Sequence, residues 1–191
     1  MHSYRGLVGS KAVLEEFGWN KRKDRGLTGG VIHLFFADFV LAEVSLLSLL
    51  FIIKLNIGGI DIGQSVSSAF GESPNNEIRP GGRLRVKNPA QALYSDLPTE
   101  EAEYWTSKII DQSYAAQTTE LIRAAYRYIS STYVVCENDQ GPPPRYQEMW
   151  GKNAGSVMLR INSGHSPMLN KTDELADMIA KAAQGAINHA H

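Results

Sequence analysis

Between Ser130 and Asp139 the chain reads SSTYVVCEND. A run of aromatic and β-branched residues with no polar alternation cannot leave one face in water, so it is expected to be a strand covered on both sides. It leads directly into QGPPP, whose prolines stop it. SVMLRINSGH, residues 156–165, repeats the pattern and ends at Gly164, and GGVIHLFFADFVL, Gly29 to Leu41, is a third strand of the same kind. Covered strands separated by helical stretches imply an α/β fold with a parallel sheet and helical connections. In such sheets the chemistry lies at the carboxyl ends of the strands.

The segments between them complete the pattern. YRGLVGSKAVLEEF, residues 4–17, suits a helix whose small residues Gly6, Gly9 and Ser10 allow close approach to a sheet, with Gly18 as its stop. NKRKDRGLTGG then reads as a charged loop. From Leu97 to Ile129 the pattern turns helical, with Pro98 and then Glu100, Glu101 and Glu103 at the positive end of a helix dipole, and this reads as a helical insertion. Residues 171–189 form an amphipathic terminal helix with Thr172 as its cap and Leu175, Met178, Ile179, Ala182 and Ala186 on one face. The expected organisation is one domain over residues 1–191 with a cap insertion at roughly 43–129.

Composition narrows the function classes. At 191 residues the chain is long enough to bury a real core. With 19 basic against 20 acidic side chains it has no electrostatic footprint for nucleic acid. The lone Cys136 excludes an internal disulfide and any paired-cysteine zinc or redox motif, which fits a reducing, cytoplasmic setting. His2, His33, His165, His189 and His191 show no metal-ligand spacing, and the paired glycines lack the lysine or helix context of a phosphate loop, so neither metal nor cofactor is expected.

The polar residues at the strand ends make a constellation. Ser3 stands before a helix, Asp139 ends the second of these strands in chain order, and His165 follows the third. Serine, aspartate, histidine is the chain order of a triad in which a serine on a sharp turn is activated by a histidine that a carboxylate orients. A thiol nucleophile formed by Cys136 and His165 is the competing arrangement, against which stands the apolar strand around Cys136.

MHSYRGLVG resembles the HSYGG nucleophile elbow of a group of α/β hydrolases, many of them fungal, related to plant methylesterases and hydroxynitrile lyases. STYVVCEND, DLPTEEAEYW and INSGHSPML are similar to that group's acid strand, cap segment and histidine loop, so the likeness runs over residues 1–43 and 65–185. The resemblance implies an incomplete, N-terminally truncated α/β-hydrolase fold, a partial parallel sheet with flanking helices and a helical cap. It assigns Ser3 as nucleophile, Asp139 as the acid, His165 as the general base and the backbone N–H of Tyr4 as an oxyanion donor, with His2 part of the elbow. It implies a serine esterase acting on an ester or related acyl bond of a small organic molecule, such as a secondary metabolite. The same triad serves hydroxynitrile lyases, where Ser3 would act as a base. A third reading is an inactive remnant or small-molecule binding module, because the strand feeding the elbow and the loop supplying a second oxyanion N–H precede the elbow in the group. On that reading Ser3 is mobile and an exposed sheet edge promotes self-association.

Two departures from the group's pattern stand out. Arg5 occupies the place of the second glycine of G-x-S-x-G, where a side chain either distorts the turn or points outward. VSLLSLLFIIKLNIGGIDIGQ, residues 44–64, contains an apolar core too short to span a bilayer, which needs about 20 apolar residues. A hydrophobic lid or a buried cap helix would account for it. Translated intron fits better: valine codons begin GT, a glutamine codon can end AG, the block keeps the reading frame, and its removal leaves FVLAESVSSAFGE, closer to the group.

Overall fold

The computed structural model describes residues 1–3, 5–37 and 62–190. The cap block at 44–61, its possible origin as intron, and the end of the first expected strand at 38–41 lie outside the described residues, as does Tyr4.

Three parallel strands form the main sheet in the order β1 (Leu34–Ala37), β5 (Ser131–Cys136), β6 (Val157–Ile161). β5 is central and all six of its residues are buried, as expected for a strand with partners on both edges and cover on both faces. Its side chains divide by alternation. Tyr133 and Val135 join Leu34, Phe36, Leu7, Tyr126 and Trp150 in one core, while Val134 and Cys136 join Ala37, Ile161 and Leu175 in the other. Helix α1 (Arg5–Ala12) turns Gly6, Leu7 and Ser10 inward. Helix α7 (Pro144–Asn153) crosses from β5 to β6 and buries Gln147, Trp150 and Gly151, residues at three- and four-residue spacing. Helix α9 (Thr172–Ala190) covers the opposite face through Leu175 and Met178.

Several expectations need correction. The helix read over 4–17 is α1 followed by a separate 3₁₀ turn, Glu15–Phe17, which Gly18 closes by donating its N–H to Glu15 O at 3.0 Å. The charged loop is in fact partly helical: α2 (Trp19–Asp24) gathers Lys21, Arg22 and Lys23 in its last turn, where a helix dipole favours cations. Arg22 then holds the following turn by donating to the carbonyls of Thr28 and Gly29 at 2.9 Å. The strand begins only at Leu34, because Gly29 and Gly30 adopt positive φ and leave Val31 in an isolated bridge to Gly18. Thr172 is the first helical residue rather than the cap, its hydroxyl donating back to Met168 O. Ile179 is 45% exposed, since the helix lies along a stripe through Leu175, Met178, Ala182 and Ala186 that leaves it to one side.

The region between β1 and β5 is not wholly helical. Helix α3 (Val66–Phe70), which Ser65 and Ser68 cap reciprocally, precedes an antiparallel hairpin of β2 (Asn76–Arg79) and β3 (Arg83–Val86). Gly81 and Gly82, both at positive φ, make its turn. Helices α4 (Pro89–Leu93) and α5 (Thr99–Ser107) follow, and then β4 (Gln112–Ser113) returns to pair with β3. The pull of the glutamates toward a helix start is satisfied by α5, but the residues after it are claimed by the hairpin edge. A last short helix, α6 (Ala115–Thr118), and a 3₁₀ turn at Ala125–Arg127 lead into β5.

Candidate active site

Residues 1–3 are tied to β1 as an extra piece of parallel strand. Ala37 N–H donates to Met1 O at 3.0 Å, the Met1 ammonium donates to Phe35 O at 2.6 Å, and His2 bridges Ala37. The chain then turns sharply. Ser3 has φ of 50°, the left-handed region that costs a non-glycine residue about 1–3 kcal/mol and persists only where surroundings impose it. His2 O and Ser3 O accept from the N–H groups of Arg5 and Gly6, which starts α1 at once. Arg5 is exposed, so its side chain leaves the turn undisturbed.

This turn carries Ser3 Oγ to 3.1 Å from His165 Nε2, and His165 Nδ1 stands 3.1 Å from Asp139 Oδ2. The three expected site residues meet at the carboxyl ends of the 1–3 segment, β5 and β6, with β1 lying between the first two. The Asp139 side chain has no exposure and that of His165 has 10%, so the His165–Asp139 pair is closed off from bulk water, while Ser3 is half-buried. Asp139 Oδ1 accepts from the N–H of Gly141 at 2.7 Å, an Asx turn that also serves the loop. A Cβ at Gly141 would stand 3.1 Å from Asp139 Oδ1 and 3.6 Å from His165 Nδ1, so the small residue lets the loop fold over the pair. Tyr4, the expected oxyanion donor, lies outside the described residues. Cys136 is buried in the core with Val134, Ile161 and Leu175, while the two ring nitrogens of His165 face Ser3 and Asp139. The thiol is therefore packing rather than nucleophile.

Three further side chains hold this arrangement. Gln147, fully buried on α7, accepts from Cys136 N at 2.9 Å and turns its amide N–H₂ toward Pro142 O at 2.8 Å and Asp139 Oδ2 at 3.4 Å. His2 Nε2 lies 2.7 Å from His165 O, and the two rings meet edge to face with centroids 5.0 Å apart. Since a carbonyl can only accept, Nε2 carries the proton there. Burial, then the neighbouring His165, push the His2 pKa down to about 4. Asp96, from the turn between α4 and α5, accepts from Gly164 N–H and Asn170 Nδ2. A polar residue in register with the buried face of α7 was a visible signal for Gln147. Asp96 opens DLPTEEAEYW, a segment that carries the resemblance, but no pattern in it foretells the contact with the histidine loop, which the tertiary fold makes.

Among the described residues no group of three or more His, Cys, Asp or Glu side chains gathers as a metal site, and no helix is long and apolar enough to cross a membrane. A cavity of about 670 Å³ lies at the other end of the sheet, between Trp19, His33 and the last turns of α9.

No family model matches the sequence. An α/β hydrolase of Aspergillus novofumigatus is 32% identical over 97 residues, a match covering 50% of this chain and 39% of that protein. The chain therefore spans about two-fifths of the curated relative it matches. Among solved structures, a pyrethroid hydrolase from Sphingobium faniae JZ-2 superposes with a TM-score of 0.61 at 16% identity, covering 96% of this chain and 68% of that one. Polyneuridine aldehyde esterase gives 0.59 at 12% identity, covering 95% and 69%. Tomato methylketone synthase I, in an H243A variant complexed with β-ketoheptanoate, gives 0.61 at 14%, covering 97% and 68%. The chain has part of the α/β-hydrolase fold, and the proteins it is similar to in sequence and in fold include hydrolases and an esterase.

Proposed function

We propose that the chain carries the catalytic centre of a serine hydrolase that cleaves an ester or related acyl bond in a small organic molecule. The observation that supports this most is the continuous relay from Ser3 Oγ through His165 to Asp139, with both gaps at 3.1 Å and the serine held in a left-handed turn. In this reading Ser3 Oγ attacks the acyl carbon while His165 Nε2 takes its proton. Asp139 holds the Nδ1–H tautomer and favours the imidazolium that forms. The tetrahedral oxyanion is stabilised by backbone N–H groups, with Tyr4 as one donor by resemblance. His165 returns the proton to the leaving alcohol, the C–O bond breaks, and an acyl-Ser3 ester remains. Water, deprotonated by the same histidine, then releases the acid and restores the serine.

The relatives suggest the substrate class. A pyrethroid hydrolase and an aldehyde esterase are named for small molecules, which supports a small acyl compound as the substrate, with a secondary metabolite as the specific proposal. The lone buried thiol of Cys136 accords with a reducing, cytoplasmic setting. β6, an edge strand of the main sheet among the described residues, offers a route to self-association. The test is a fluorophosphonate probe on the purified chain. Labelling that disappears in Ser3→Ala supports the reading, and a folded wild-type chain that stays unlabelled overturns it.

A further inference from the structure

The histidine loop, residues 162–166, connects β6 to the short helix α8 (Pro167–Asn170) and has to hold His165 against both Ser3 and Asp139. Its backbone is gripped from three directions. The turn after β5 supplies one hold, the N–H of Asn138 donating to Ser163 O at 3.0 Å. The elbow supplies the second, from His2 to His165 O. The third comes from the inserted region. Asp96 Oδ2 accepts from the backbone N–H of Gly164, the residue before the histidine, and from Asn170 Nδ2, and it lies 3.2 Å from Ser163 Oγ. Ser163 Oγ also lies 2.7 Å from Asn170 Oδ1 and has one proton to share between the two.

Two details distinguish this from an incidental surface contact. Gly164 is shaped for the carboxylate, since a Cβ there would stand 2.7 Å from Asp96 Oδ1 and 2.8 Å from its Cγ. Asp96 Oδ1 is also buried and has no hydrogen-bond partner among the described residues. A buried carboxylate oxygen without a partner is costly. If stability alone were served, a neutral side chain would fill the place better.

We propose that Asp96 is a positioning residue for His165: a carboxylate delivered by the insertion clamps Ser163, Gly164 and Asn170, and so sets the reach of the imidazole to Ser3. The proposal rests on the serine-hydrolase reading for its catalytic consequence, but the clamp itself stands on geometry alone. It couples the insertion to the general base, so that a displacement of the turn between α4 and α5 is felt at the relay.

The test compares the full wild-type chain with Asp96→Ala, Asp96→Asn and, as a blank, Ser3→Ala. Fluorophosphonate labelling rates report the relay, and amide hydrogen exchange at Gly164 reports the clamp. Asp96→Ala is expected to lose protection at Gly164 and to label about 10- to 100-fold more slowly, the cost of a misplaced catalytic group. Asp96→Asn keeps an acceptor oxygen, and recovery of most of both readouts separates positioning from general loss of folding. Unchanged protection at Gly164 in Asp96→Ala overturns the proposal, as does lost protection with wild-type labelling. If the wild-type chain does not label at all, the hydrolase reading fails, while the Gly164 exchange still decides whether Asp96 holds the loop.

Discussion

Acidification acts on this site through His2. Its ring is packed edge to face against His165, with Nε2 on the His165 carbonyl and Asp139 and the terminal ammonium nearby. Burial first, and then repulsion from His165 and the ammonium, lower its pKa from 6.5 to about 4, against a smaller upward pull from the carbonyl and Asp139. The unfolded chain takes up this proton near pH 6.5, while the folded chain resists it until about pH 4. Below 6.5 the unfolded state therefore binds more protons, and stability falls as pH falls. The contribution is full above pH 6.5 and is lost progressively down to about pH 4. At 1.36 kcal/mol per unit the loss reaches at most about 3 kcal/mol, a large share of the roughly 5–15 kcal/mol typical of a domain. His2→Gln retains an amide N–H donor of similar reach and does not titrate. Urea unfolding of both chains at pH 7, 5.5 and 4.5 should show the wild type losing stability faster than the variant. Parallel curves for the two would refute the assignment of this acid sensitivity to His2.

Asp139→Asn keeps an oxygen for Gly141 N–H but presents an amide where His165 Nδ1 needs an acceptor, so the wrong tautomer is favoured. Labelling or turnover is expected to drop by about 10⁴-fold with little change in melting temperature. Phe36→Ala removes a fully buried ring that packs edge to face with Tyr126 at 6.4 Å between centroids. It should cost about 3–5 kcal/mol by chemical denaturation, and a cost below about 1 kcal/mol would show that this core face is not packed as described.

Much of this protein was determined by local sequence. STYVVC could only be a covered strand, because it offers no polar face to water, and it is the buried centre of the sheet. The grouping of polar residues at the strand ends was legible as well. Ser3, Asp139 and His165 each sit where a strand gives way to a turn, and the chain order of the three matched a known relay before any distance was measured. Elements of weak periodicity were not legible. Residues 20–24 are polar all round and looked like loop, yet the backbone bonds from Trp19 N–H to Val31 O and from Arg22 N–H to Gly18 O start a helix turn there. The β2–β3 hairpin carried a local turn signal in Gly81 and Gly82, but the pairing of β4 with β3 was invisible because pairing across an intervening pair of helices leaves no period in the sequence.

The supports of the site belong to tertiary structure alone. Asp96 is 69 positions from His165, Gln147 reaches Asp139 from a helix, and His2 finds the carbonyl of a residue at the far end of the chain. Hydrogen bonds of this kind depend on where backbones cross, which no local pattern encodes. The sequence marked Ser3, Asp139 and His165 as a group; the crossing of the elbow, the loop after β5 and the histidine loop decided that His165 stands 3.1 Å from each of the other two.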